Sequence, residues 1–89
     1  MYKLLIAVPA TDTSLKSYID SQVESIVISF PLLEIEHVNE NNEVYNKYIS
    51  KPNRFPAFIV FERGVRKEEF LGKVETEQLL NWLTKLLVD

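Results

Sequence analysis

The segment Phe55-Pro56-Ala57-Phe58-Ile59-Val60-Phe61 constrains the fold more than any other part of the chain. Its aromatic and β-branched side chains suit a pleated, buried surface, so it predicts a strand. Pro56 has no amide hydrogen to give a ladder, which suits the first residue of a strand. Glu62-Arg63-Gly64 follows as a hairpin turn, with Gly64 free to take positive φ. Residues 65–71 then read as the return strand, ended by Gly72.

The remaining elements follow from periodicity. Residues 2–8 are a nearly continuous apolar run closed by Pro9, which suits a central strand covered on both faces. Leu15, Tyr18, Ile19, Val23, Ile26 and Val27 recur at helical spacing, with Lys16, Asp20 and Glu24 on the opposite face. Asp12 or Thr13 is placed to accept hydrogen bonds from the first free amides of that helix. Leu33, Ile35 and His37 alternate with Glu34 and Glu36 and predict a second strand. Residues 43–49 carry Val44, Tyr45, Tyr48 and Ile49 at helical spacing and predict a short helix. A last helix starts near Glu75, with Leu79, Trp82, Leu83, Leu86 and Leu87 as its apolar stripe. Gln78, three residues after Glu75, suits a capping-box-like start. The predicted order is β-α-β-α-β-β-α over a single domain, residues 1–89: an α/β fold with a four-stranded mixed sheet flanked by three helices.

Composition excludes whole classes of chemistry. The chain has 89 residues and no cysteine. Disulfides, thiolate metal sites, iron–sulfur clusters and thiol catalysis are therefore out. A single histidine removes multi-histidine metal sites within one chain. A net charge of −3 argues against a broad phosphate-neutralising surface. No stretch approaches the ~20 apolar residues of a membrane span. The run at residues 4–8 is short for a signal peptide, so a cytoplasmic protein, or part of an assembly built there, is expected. No cofactor is expected.

The C-terminal part resembles the thioredoxin-like superfamily. The resemblance rests on Phe55-Pro56, the apolar residues through Phe61, Gly64, Gly72, and the helix opening at Glu75 with Gln78-Leu79. It implies a minimal thioredoxin-like fold and a cis peptide bond at Pro56, held by Phe55 and facing the loop after the first strand. In that family this loop carries Cys-x-x-Cys. Here it reads Ala10-Thr11-Asp12-Thr13-Ser14, and neither hydroxyls nor a carboxylate can attack a disulfide as a thiolate does. The scaffold is expected to be redox-inactive, and not an enzyme.

Each candidate site has a plainer structural reading. Thr11, Asp12, Thr13 and Ser14 lie at a helix start, where amides bind anions, but capping explains the same residues. His37 reads as a partly buried, hydrogen-bonded structural residue, because strand alternation turns Glu36 to the other face. Glu75-Thr76 is similar to the acidic and hydroxyl pair with which glutathione transferases hold the glutamyl end of glutathione; helix starts favour both residue types in any case. Arg63, Arg66 and Lys67, with Lys51 and Arg54, form a basic edge interrupted by Glu62, Glu68 and Glu69, which reads as a solvated strand rather than a nucleic-acid surface.

The resemblance and the stripped loop together imply a non-catalytic protein-binding or assembly module. Its expected contact surface is Thr11, Asp12, Thr13, Ser14, Phe55 and Pro56. A structural subunit of a larger particle, such as a phage component, is one form of that expectation. A small regulator or inhibitor of a cellular enzyme is a second. A glutathione-binding protein that uses hydroxyls, with Glu75 and Thr76, is a third. Neither nucleic acid nor membrane is an expected partner, and self-association suits a chain of this size.

Overall fold

The computed structural model describes residues 2–9, 13–39 and 56–87. Strands β1 (Tyr2–Ala7), β2 (Glu34–Val38), β3 (Ala57–Glu62) and β4 (Val65–Leu71) form one sheet in the order β2-β1-β3-β4. β1 and β2 are parallel, while β3 runs antiparallel to both β1 and β4. The helices are α1 (Ser14–Ser29), between β1 and β2, and α2 (Thr76–Leu87), after β4. Two helices are therefore described rather than the three expected, because the helix predicted over residues 43–49 lies outside the described residues.

The sheet has two apolar faces. Leu4 and Ile6 of β1 and Phe58 and Val60 of β3 meet Ile19 and Ile26 of α1 and Leu79 and Leu83 of α2. The alternate residues Leu5, Ala7, Ala57, Ile59 and Phe61 form a second buried cluster with Val38. Burial of both faces is why β1 and β3 read as continuous apolar runs. Phe70 adds an edge-to-face contact with Trp82, ring centroids 5.1 Å apart. Gln22 of α1 is also buried, and its Oε1 has no hydrogen-bond partner among the described residues.

Several boundaries differ from expectation. β3 begins at Ala57 because Pro56 cannot donate to a ladder; its carbonyl instead accepts from the Gly72 amide at 2.8 Å. The hairpin turn is the two-residue Arg63-Gly64, with Glu62 still in β3. Positive φ at both, 54° and 82°, marks a type I′ turn, whose twist matches that of its strands. The β3–β4 register shifts between Val60 and Phe61 and leaves Lys67 unmatched. That bulge aims Lys67 at Glu62 Oε1 and the Leu86 carbonyl, each 3.4 Å away, and over the Tyr2 ring. Gln78 Oε1 accepts from the Glu75 amide at 3.4 Å, the reach-back half of the expected capping box.

Candidate functional site

The topology gathers the candidate residues at one end of the sheet. β1 and β2 run to Ala7 and Val38, side by side, and β3 starts opposite Ala7 at Ala57. α1 starts from the end where β1 stops, and α2 starts after β4 returns to that end at Leu71. Thr13, Ser14, Pro56, Glu75 and Thr76 therefore belong to the same end. It is the carboxyl end of the parallel pair, where ligands of open α/β sheets bind. Thr11, Asp12 and Phe55 lie outside the described residues, and with Phe55 the expected cis peptide bond.

Their environments differ. Thr13 and Ser14 are exposed. The Thr13 side chain makes no capping hydrogen bond, and its backbone is already helical, at φ −72° and ψ −20°, rather than extended as a cap usually is; Asp12, the other expected cap, lies outside the described residues. Pro56 is fully buried with its carbonyl occupied by Gly72. Glu75 is exposed and Thr76 half-buried at the start of α2.

The turn before α2 is fastened by Tyr18. The Tyr18 hydroxyl donates to the Val74 carbonyl at 2.6 Å and accepts from the Val74 amide at 2.8 Å. One side chain of α1 thus satisfies both backbone groups of a residue 56 positions away. The Lys73 ammonium lies 5.4 Å from the centre of the same ring.

Between the start of α1 and the end of β2 lies an open cleft of about 320 Å³. Val8, Pro9, Ile19 and Val38 supply its apolar lining, and Thr13, Lys16, Asp20, His37 and Asn39 its polar groups. His37 is exposed, not partly buried as expected, because β2 is an edge strand and its end opens onto this cleft. Among the described residues no salt bridge joins Lys16, Asp20 or His37 to another group. Lys16 and Asp20 were legible only as the outer face of a helix. Their nearness to His37 depends on the parallel β1–β2 pairing, which no local pattern encodes. No group of three or more His, Asp or Glu able to hold a metal occurs among the described residues. None of their helices is long and apolar enough to cross a membrane.

On the hairpin edge, Arg66 pairs with Glu69 at 2.9 Å and Lys67 with Glu62 at 3.4 Å. Lys51 and Arg54 lie outside the described residues.

No protein-family model matches the chain, and no curated protein matches it in sequence. Its likeness is to solved structures. The thioredoxin of Trypanosoma brucei brucei is similar at a TM-score of 0.78 and 20% identity, over 100% of this chain and 77% of its own. Deadhead, a germline-specific thioredoxin of Drosophila melanogaster, is similar at 0.77 and 18%, over 97% of this chain and 81% of its own. The thioredoxin of Fasciola hepatica scores 0.74 at 17%, over 94% of this chain and 79% of its own. At these identities the likeness is one of fold. The fold is thioredoxin-like, and the chain, with no cysteine anywhere in its sequence, lacks the Cys-x-x-Cys motif.

Proposed function

We propose that this chain is a non-catalytic, thioredoxin-like protein-binding module whose contact surface is the sheet end where α1 begins. One observation carries the reading: a thioredoxin-like scaffold has hydroxyl and carboxylate side chains where thiol exchange would need a thiolate. What such an end retains is shape, exposed polar groups and strand ends, and those serve recognition. The exposed Thr13 and Ser14, with Asp12 beside them in sequence and Phe55 before β3, are the residues proposed to meet the partner. Pro56 contributes from beneath, by fixing the start of β3 through its bond with Gly72. Membership of a larger particle and inhibition of a cellular enzyme are two forms of the same reading. Nothing in the geometry favours glutathione over these, since Glu75 and Thr76 open α2 in an ordinary way.

The test is affinity capture from the native source with wild-type protein beside Thr13→Arg and Phe55→Ala variants. A partner held by the wild type and lost by both variants, with their circular dichroism unchanged, is the expected result. A partner held equally by all three would move the site elsewhere. Saturable glutathione binding lost in Thr76→Ala would replace the proposal.

A further inference from the structure

Lys16, Asp20 and His37 stand around the cleft between α1 and β2, all exposed and, among the described residues, all without an ion-pair partner. Elsewhere Lys3, Arg66 and Lys67 each hold a carboxylate. Lys16 and Asp20 are four residues apart on α1 and still do not pair; lysine before the acid is the weaker order for a helical ion pair. The floor between them is held in place. The Val8 amide donates to the Val38 carbonyl at 3.1 Å, which ties the exit of β1 to the end of β2. Val8, with the buried Ile19 and Val38, makes that floor apolar. A floor fixed before binding spares a ligand the entropy of ordering it.

We propose that this cleft captures the C-terminal carboxylate and the apolar last side chain of a peptide. The inference rests on reading this end of the sheet as a protein-binding surface, and it names what the partner presents there. Charge complementarity selects the ligand. Lys16 supplies a full positive charge and His37 a ring N–H in either tautomer. A carboxylate has two oxygens with which to accept from both. Asp20 opposes a second negative charge, so a doubly charged phosphate is disfavoured; it accepts the backbone N–H of the last peptide residue instead. The apolar floor takes that residue's side chain. The volume of about 320 Å³ is near the lower limit of ligand sites, roughly 300 Å³, which suits a chain end. β2 is the edge strand, with no strand on its outer side among the described residues, so the rest of the peptide leaves over that edge.

Amide NMR titration of the full chain tests this, with acetyl-Ala-Ala-Leu as free acid and as C-terminal amide, each to about 10 mM at low salt. The acid is expected to shift the Lys16, Asp20, His37 and Val38 amides saturably, and the amide to bind at least about fivefold more weakly. Lys16→Met and His37→Gln are each expected to weaken the acid by at least about threefold and to leave the amide unchanged. Both residues are exposed, so spectra away from the cleft should match wild type. Equal binding of acid and amide, or no shift at all, overturns the proposal. So does free leucine or inorganic phosphate binding as tightly as the acid peptide. A captured partner that is lost in Thr13→Arg and Phe55→Ala but indifferent to Lys16→Met would uphold the protein-binding surface and refute carboxylate capture. Carboxylate binding in a chain that captures no protein would refute the broader surface and leave the cleft's chemistry standing.

Discussion

Tyr18 shows how much a single side chain settles in a fold this small. Its hydroxyl closes two hydrogen bonds with Val74, and both groups are partly buried. Removing it leaves an amide and a carbonyl short of partners, which costs roughly 1–3 kcal/mol. Tyr18→Phe is therefore expected to lower the thermal midpoint by several degrees while the fold persists. Hydrogen exchange at Val74 should speed up before the strands do. A Tyr18→Phe midpoint equal to wild type would show that water replaces the hydroxyl at no cost. The helical spacing placed Tyr18 on the apolar face of α1, but its partner was not legible, because the contact spans 56 residues and joins α1 to the turn before α2.

At the scale of elements, the β3–β4 hairpin combines a good turn with an unfavourable residue. A type I′ turn needs positive φ at both central positions, and Arg63 occupies the first. Left-handed backbone costs a residue with a Cβ roughly 1–2 kcal/mol, less for asparagine. Arg63→Asn is expected to raise stability by about 0.5–1 kcal/mol, read from urea denaturation. An unchanged or lower value would mean that the arginine side chain stabilises the tip by as much as its backbone costs. The turn itself could be anticipated from Gly64. The second positive φ could not, since nothing local distinguishes an arginine at a turn from one on a strand.

At the scale of the whole molecule, charge pairs tie the edge strands to the centre. Lys3 of β1 reaches Glu36 and, at 3.6 Å, Glu34 of β2. The hydrogen bond to Glu36 is the main cause of a Lys3 pKa raised above its ordinary 10.5. For Lys67, partial loss of water opposes the charge, but Glu62 outweighs it, and that pKa is raised too. A raised lysine pKa means the folded state holds its proton longer than the unfolded chain. The resulting stability is fully present below about pH 10.5 and is lost as pH rises through the folded-state value. Thermal midpoints of the wild type should therefore fall more steeply above pH 10.5 than those of Lys3→Met. Parallel curves for the two would assign the alkaline loss to other groups.

The order of the described strands and helices, the hairpin, the start of α2 and the absence of thiol chemistry were determined by the sequence alone. Those properties are local or compositional: periodicity, turn residues, and a cysteine count of zero. The tertiary structure alone decided which residues meet. His37 lines a cleft with Lys16 and Asp20 because β2 pairs parallel to β1 at an open edge. Leu32 is exposed and lines an apolar groove with Tyr2 and Leu87 because a proline turn carries the chain from α1 to β2 past the ends of β1 and α2. An apolar residue outside a periodic element, such as Leu32 in a turn, carries no local sign of whether it will be enclosed. Burial follows from how the elements cross, and that is set by contacts between residues far apart in the chain.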